Sequence, residues 1–318
     1  MTGLDLSTEL CGMHLKHPLI NASGTFDAIA ARRVFGDALL DDFPFSAFVS
    51  KTITPGPRAG NPPPRIYETP SGLINSIGLP NKGLEGFIAE DLPQLQQLPV
   101  PLVVSVMASD RDGFASLVGT VCEHNAVSAI ELNVSCPNVK SGLIVGESAD
   151  ETEALLERVR KITTTPLIVK LTPNVADPAA IAVAAERGGA DAISLVNTLK
   201  ATARDPHRLT PVLGAERGGL SGPAIRPVAL EQVRSVVARV GIDVVGMGGV
   251  ESGADVLDFA AAGAGAIAVG TASFRDPLAA TRILGELRSE LDRIGAVWPP
   301  TDAAGTVGTV VQSSGTLD

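Results

Sequence analysis

Polar side chains stand where several apolar runs of the sequence end. Lys51 ends one such run (FVSK) and Lys170 interrupts another (LIVK, followed by Leu171), while Asn133 and Asn197 end two others. One lysine at a strand edge is ordinarily explained by an ammonium that reaches solvent while its stem packs on apolar surface. Two lysines at equivalent positions instead indicate an anionic ligand or an electron-rich ring, and asparagines suit an amide-bearing ring. Asn75, in the uncharged segment GLINSIGLPN, is either a plain turn residue or part of a loop over a planar ligand.

Cys136 is the candidate acid–base residue. It lies between Ser135 and Pro137. A lone cysteine is more often an inert core residue, but Pro137 disfavours direct entry into a helix, so we expect a thiol that projects from a loop. A thiol, with a reference pKa of about 8.5, can act as a general base where the thiolate is favoured. Cys11 and Cys122 have no such setting, and we interpret them as structural.

Glycine is over-represented, with 33 of 318 residues against a usual share of about 7%. Three glycine-rich segments fall late in the chain, at 218–222 (GGLSG), 246–249 (GMGG) and 269–272 (VGTA). Glycine leaves backbone N–H groups open to a phosphate, although each segment alone also fits a tight turn or close packing. Together they favour a phosphate site.

Short apolar runs alternate with helix-length amphipathic segments. The runs lie at 19–22, 46–51, 102–107, 128–133, 167–171, 192–197, 243–248 and 266–270. Their nearly continuous apolarity is typical of strands buried on both faces. Helices are predicted at 150–162, 178–187, 227–240, 254–262 and about 277–294. Eight strands favour a closed α/β fold, a (β/α)8 TIM barrel with a short N-terminal β-hairpin and inserted rim loops, over an open doubly wound sheet. In such a barrel the polar residues above share one rim.

Length and composition limit the other possibilities. A chain of 318 residues gives a prior of about two domains, but one barrel accounts for residues 1–300, and we expect residues 301–318 to form a flexible tail. A formal charge of −10 with 3% aromatic residues argues against binding to nucleic acid. The long uncharged stretches are broken by proline or too short to span a bilayer, so no membrane association is predicted.

Cysteine, histidine and the N-terminus indicate the compartment. Three widely spaced cysteines without a CxxC motif favour a reducing cytoplasm. The first ten residues lack a basic region followed by an apolar one, so no signal peptide is expected. His14 and His17 form an HxxH pair in a short polar stretch, which we interpret as a solvated turn and not a metal site. No metal is predicted.

An ordered set of motifs resembles the class 1 dihydroorotate dehydrogenases from about residue 6 to residue 281. The motifs are NASGTF (21–26), SKT (50–52), NPPPRIYETPSGLINSIGLPN (61–81), ELNVSCPNVK (131–140), VKLTPNVAD (169–177), NTL (197–199), GGLSGPAI (218–225), GMGGV (246–250) and AVGTA (268–272). The resemblance implies an FMN-binding barrel that oxidises dihydroorotate to orotate in pyrimidine (UMP) synthesis.

The resemblance also assigns roles to residues of this chain. Cys136 is implied as the base that takes a proton from C5 of the substrate while hydride passes from C6 to FMN. The implied substrate-binding residues are Lys51, Asn75, Ser76, Ile77, Gly78, Leu79, Asn133, Asn197 and Thr198. The implied FMN-binding residues are Ser23, Lys51, Thr52, Ser105, Asn133, Lys170, Val196, Gly222, Gly248, Gly249, Gly270 and Thr271.

Within class 1, the motifs CPNVKSG, TPNVAD, NTL and GGLSGPAI are most similar to the NAD-linked subclass 1B. That similarity implies a homodimer and a second subunit with FAD and a 2Fe–2S cluster that passes electrons to NAD. Two segments depart from the pattern, KATARDP after NTL and VMASD at 106–110, and they leave the partner surface and the acceptor (NAD, fumarate or another) open. Two alternatives stand: a pyrimidine-reducing flavoenzyme similar to dihydropyrimidine dehydrogenase, and a catalytically silent flavin-binding barrel.

Overall fold

Strands and helices alternate along most of the chain in the computed structural model, which describes residues 4–135, 145–205, 207 and 209–300. The strands are β1 (Thr8–Leu10), β2 (Met13–Leu15), β3 (Leu19–Asn21), β4 (Phe48–Val49), β5 (Ile66–Thr69), β6 (Gly72–Asn75), β7 (Leu102–Val106), β8 (Val127–Asn133), β9 (Leu167–Lys170), β10 (Ala192–Leu195), β11 (Leu199–Ala201), β12 (Gly218–Ser221), β13 (Asp243–Met247) and β14 (Ala266–Val269). The helices are α1 (Ala28–Phe35), α2 (Ala38–Asp41), α3 (Gly83–Gly86), α4 (Leu92–Leu95), α5 (Arg111–Cys122), α6 (Ala149–Arg160), α7 (Pro178–Arg187), α8 (Arg226–Val237), α9 (Gly253–Ala261), α10 (Ala272–Arg275) and α11 (Ala279–Ile294). A π-helical segment (Phe87–Asp91) joins α3 to α4, and 3-10 turns occupy Val145–Glu147 and Pro223–Ile225.

Eight of these strands form a parallel sheet in the order β3-β14-β13-β10-β9-β8-β7-β4. The side chain of Asn21 joins the two edge strands. Its Nδ2 donates to the Val49 carbonyl at 2.7 Å, and its Oδ1 accepts from the Val49 N–H at 2.8 Å. Because this amide repeats the pairing of a peptide unit, it bridges the seam of a nearly closed barrel. The predicted (β/α)8 barrel is confirmed.

Residues along each barrel strand alternate between the barrel interior and the helix layer, as strand geometry requires. Near the amino-terminal ends of the strands the inward residues are apolar, namely Ile20, Val49, Val103, Ala129, Ile168, Ala192, Val245 and Ala266. Two residues further along, the same faces carry Lys51, Ser105, Glu131, Lys170 and Ser194. The barrel interior is therefore apolar at one end and polar at the other.

The helices around the barrel begin at polar capping residues. Asp110, Ser148 and Asp177 each accept a backbone N–H three residues ahead, at the starts of α5, α6 and α7. Ser252 and Asp255 form a capping box at the start of α9. The predicted helix 178–187 is confirmed residue for residue, and the other four predicted helices shift by at most three residues at their ends. No helix within the described ranges has the length and apolarity to cross a membrane.

The predicted N-terminal hairpin closes the apolar end of the barrel. Strands β1 and β2 pair antiparallel across a two-residue turn, in which Cys11 (φ 50°) and Gly12 (φ 76°) both take the left-handed conformation that such hairpins need. Leu10 and Leu15 are fully buried and belong to the cluster that fills the lower barrel. The hairpin thereby seals this end against water.

A second sheet, in the order β11-β12-β6-β5, is antiparallel and lies beside the carboxyl ends of the barrel strands. This sheet corrects two predictions. The segment 218–222 was expected to be a phosphate-binding turn, but Gly218–Ser221 is strand β12; the expected turn at 72–81 begins with strand β6. A Cβ on Gly218 would lie 2.5 Å from the Asn75 carbonyl oxygen. Glycine is needed there for close approach of strands, and not for an anion.

Candidate active site

A cavity of about 190 Å³ opens at the polar end of the barrel. It adjoins an outer cavity of about 900 Å³, with which it shares Asn75, Ile77, Leu79, Asn133 and Asn197. Asn133 and Lys170 are the last residues of β8 and β9, and other wall residues directly follow β10, β13 and β14. Ligand sites of (β/α)8 enzymes are built at this face.

The structure brings most of the predicted site residues into one wall. Those that line the inner cavity are Ser23, Lys51, Thr52, Asn75, Ile77, Leu79, Asn133, Lys170, Val196, Asn197, Thr198, Gly222, Gly248, Gly249, Gly270 and Thr271. Ser76 and Gly78 line only the outer cavity. Ser105 lines neither, because it is fully buried beneath the wall and bonded to Thr52. Cys136 lies outside the described residues.

Two lysines give this cavity its charge. Lys170 is 6% exposed and Lys51 is half-buried. Burial, and next the positive charge of Lys170, lower the pKa of Lys51. Among the described residues neither ammonium makes an ion pair or a hydrogen bond. A buried and a half-buried cation without a partner are costly to hold, and this cost is expected where an anionic or electron-rich ligand supplies the missing partner.

Glycine shapes the wall at two places. Gly24 (φ 71°) lies against Lys51, and a Cβ there would be 2.6 Å from the Lys51 Cδ. Gly270 differs, since a Cβ there would meet the Ala22 Cβ only at an ordinary 3.5 Å. Packing does not require glycine at 270, so the missing side chain there leaves space in the cavity.

Amides and hydroxyls complete the wall. The Asn197 Nδ2 donates to the Ser135 hydroxyl at 3.0 Å, and the Thr271 hydroxyl donates to the Ser221 hydroxyl at 2.8 Å. Ser221 and Phe274 line the cavity and were not predicted. Phe274 lies two residues after the predicted segment 269–272, but as one aromatic residue it carries no chemical signal in the sequence.

Glu131 is the important residue that the sequence interpretation missed. It lies in the barrel interior with 3% exposure, where its Oε1 accepts from Ser105 at 3.0 Å and its Oε2 from Ser194 at 3.2 Å. A signal existed, because a glutamate inside an apolar run that predicts a doubly buried strand is unusual.

Comparison with known proteins agrees with this geometry. A family model described as dihydroorotate dehydrogenase matches residues 5–291. The chain belongs to the dihydroorotate dehydrogenase family. The catalytic subunit of dihydroorotate dehydrogenase B (NAD(+)) from Listeria monocytogenes is 41% identical over 91% of this chain and 94% of that protein. The proteins of that name from Desulforudis audaxviator and Citrifermentans bemidjiense are each 44% identical, over 91% and 90% of this chain and 93% of each relative.

These relatives confirm the resemblance to class 1B that the motifs predict. Dihydroorotate dehydrogenases depend on a flavin, and the cavity fits such a group. Its lysines, which make no ion pair with any described residue, suit the electron-rich ring; its amides and hydroxyls suit the ring's polar edge, and Gly270 leaves space where a side chain would intrude.

Proposed function

We propose that this protein oxidises (S)-dihydroorotate to orotate with FMN as its bound cofactor, in the synthesis of UMP. The observation that carries the proposal is the pair of lysines at the cavity, the buried Lys170 and the half-buried Lys51, neither of which has an acidic partner among the described residues. A carboxylate on the substrate ring supplies an anion that uncarboxylated pyrimidines lack. The names of relatives that are 41–44% identical support the same reaction.

We assign the predicted site residues at the cavity to the substrate, to the cofactor or to both. We assign the substrate to Lys51, the segment 75–79, Asn133, Asn197 and Thr198, where amides can read the donors and acceptors of a pyrimidine ring. We assign FMN to Ser23, Lys51, Thr52, Asn133, Lys170 and Val196, with Gly222, Gly248, Gly249, Gly270 and Thr271 around its phosphate. Ser105 acts on FMN only through Thr52, because it does not line the cavity.

The proposed reaction separates a proton from a hydride. The Cys136 thiolate takes the proton from C5, and the electron pair of that C–H bond forms the C5=C6 double bond as hydride leaves C6. When bound, FMN supplies the two-electron acceptor, at N5. Lys170 holds a positive charge beside the ring, where it stabilises the negative charge that reduction creates. The chain's main task is then to position two rings and a base.

We further propose a redox partner. The relatives are named as catalytic subunits, which supports a second subunit; we assign to it FAD, a 2Fe–2S cluster and NAD as final acceptor. A homodimer of the present chain and a cytoplasmic location complete the proposal.

Anaerobic spectroscopy tests the reaction. The purified chain is expected to show a flavin spectrum that bleaches when dihydroorotate is added, and heat-released cofactor is expected to co-elute with FMN. Orotate, and not uracil, is expected to reoxidise the reduced protein. A protein that takes up no FMN would refute the proposal, and faster turnover of uracil would favour the pyrimidine-reducing alternative. Flavin that no dihydropyrimidine reduces would favour the silent barrel.

A further inference from the structure

A chain of hydroxyl groups leads from the cavity wall to the buried Glu131. The Ser23 hydroxyl lies 3.0 Å from the Thr52 hydroxyl, which lies 2.9 Å from the Ser105 hydroxyl, and Ser105 donates to Glu131 Oε1 at 3.0 Å. Thr52, Ser105 and Glu131 are at most 3% exposed, whereas Ser23 and Thr52 also line the cavity. The chain thus connects a buried carboxylate to the place where a ligand lies.

The carboxylate fixes the direction of every bond in this chain. A carboxylate only accepts, and a serine or threonine hydroxyl has one proton. Because Ser105 gives its proton to Glu131, Thr52 must donate to Ser105, and Ser23 must in turn donate to Thr52. Ser23 then has no proton left for the cavity and presents only lone pairs there.

The neighbouring cavity groups are of the opposite kind. Lys51 and Lys170 donate and cannot accept. The lysines can therefore donate to carbonyl oxygens of a bound ring, whereas Ser23 needs a hydrogen-bond donor on the ligand. Oxidised isoalloxazine has one N–H group, N3–H, which lies between two carbonyls.

We propose that Glu131 and Ser105 are positioning residues that hold Ser23 as a hydrogen-bond acceptor for the N3–H group of the flavin ring. The ligand identity rests on the proposed function, whereas the direction of the chain rests on the distances above. A carboxylate that two hydroxyls separate from Ser23 thereby selects the orientation of the ring.

Ser105→Ala tests the proposal, because it cuts the chain without removing a cavity-lining side chain. Ser194→Ala is the matched control, since Ser194 also donates to Glu131 but starts no path to the cavity. Apoprotein of each variant is titrated with FMN and with N3-methyl-FMN, followed by flavin fluorescence. Circular dichroism and thermal unfolding verify that each variant folds.

We expect Ser105→Ala to weaken FMN binding about fivefold to tenfold, the range of one hydrogen bond, and to leave N3-methyl-FMN binding unchanged. Ser194→Ala is expected to bind both flavins as the wild type does. Equal loss for the two flavins, or no loss for FMN, would overturn the proposal. If neither flavin binds the wild type, the proposed cofactor fails instead.

A second variant isolates the carboxylate. Glu131→Gln combined with Ser194→Ala leaves the new amide N–H one acceptor along this chain, Ser105, so the hydroxyl chain reverses and Ser23 donates into the cavity. We expect this variant to lose FMN affinity as Ser105→Ala does, with N3-methyl-FMN unaffected. Binding of FMN equal to that of Ser194→Ala alone would remove Glu131 from the role.

Discussion

The two ends of the barrel interior have opposite chemistry although the same strands build them. On β9, Ile168 faces the lower interior and Lys170, two residues later, faces the cavity; on β8, Ala129 is followed by Glu131. At the lower end the hairpin fills the space with leucines, and the Asp243 carboxylate accepts the Cys11 N–H at 2.7 Å. At the upper end two ammonium groups have no partner among the described side chains.

Along each strand, the residues at the lower end therefore contribute to stability and those at the upper end to ligand binding. Buried apolar groups at the lower end contribute roughly 1.5–3 kcal/mol per large side chain. At the upper end, the buried Lys170 and the half-buried Lys51 oppose folding until a ligand compensates their charge. The lower end therefore offsets the cost of a preorganised upper end, as in other (β/α)8 enzymes where one face binds and the other stabilises.

The largest expected contrast is between two cysteines, the proposed base Cys136 and Cys11 in the hairpin at the lower end. Cys136→Ser is expected to slow flavin reduction by dihydroorotate about 10²- to 10⁴-fold near neutral pH, because a serine hydroxyl is much harder to deprotonate than a thiol. FMN binding is expected to persist. Anaerobic stopped-flow absorbance measures the rate.

Cys11→Ser is the control for that experiment. Burial, followed by the charges of Asp243 and Asp191, raises the pKa of the Cys11 thiol to about 12, so Cys11 holds its proton at neutral pH. We expect the reduction rate to stay at the wild-type value. If Cys136→Ser reduces its flavin normally, Cys136 is not the base.

The barrel could be predicted because its strands are short, continuously apolar runs rich in β-branched residues. Such runs can be recognised in the sequence without knowledge of tertiary contacts. Helix α5 was not predicted, since Gly113 and Gly119 weaken its helical pattern and its stability depends on packing of buried residues such as Phe114 and Leu117. The second sheet was missed because β11 and β12 are short, and glycine-rich β12 resembles a turn.

Residues that line the cavity were predictable where a residue type is rare in a buried strand, as for Lys170, or where a motif carried the resemblance, as for Gly248 and Gly249. The direction of the hydrogen bonds between Ser23 and Glu131 was not predictable from the sequence. The hydroxyl chain joins side chains on or just after four different strands, β3, β4, β7 and β8, and only the strand order brings them together. Ser105 is an example, because the spacing of residues in the sequence does not show that its side chain is buried beneath Thr52 and away from the cavity surface.

His17, predicted from the sequence to lie in a solvated turn, is instead buried at the lower end and makes this end sensitive to acid. The imidazole is buried, its Nδ1 accepts from the Leu19 N–H at 3.3 Å, and burial, followed by Arg288 and Lys16, lowers its pKa to about 4. The unfolded chain takes up this proton near pH 6.5, whereas the folded protein does so only near pH 4. Folding stability therefore falls as the pH drops through this window.

Between pH 7 and pH 5 the expected loss from His17 is about 2 kcal/mol. His17→Asn keeps an acceptor for the Leu19 N–H and removes the titration, so urea unfolding of this variant is expected to lose that much less stability over the same interval. Identical acid slopes for the two proteins would show that other groups cause the sensitivity.

Lys51, at the upper end, is expected to make ligand binding sensitive to alkali instead. Its pKa is lowered by burial and by Lys170, so it loses its proton below the usual lysine range, and an anion bound there restores the proton. Orotate affinity of the FMN-loaded protein is therefore expected to fall as pH rises through the lowered pKa, by at most about tenfold per pH unit. Calorimetric titration in two buffers of different ionisation enthalpy detects the proton uptake on binding. Lys51→Met is expected to bind orotate more weakly at pH 7. Its orotate affinity is also expected to stop falling at alkaline pH, because no proton is left to exchange at this position. If the affinity of Lys51→Met still falls with rising pH, a different group titrates, and Lys51 does not compensate the anion.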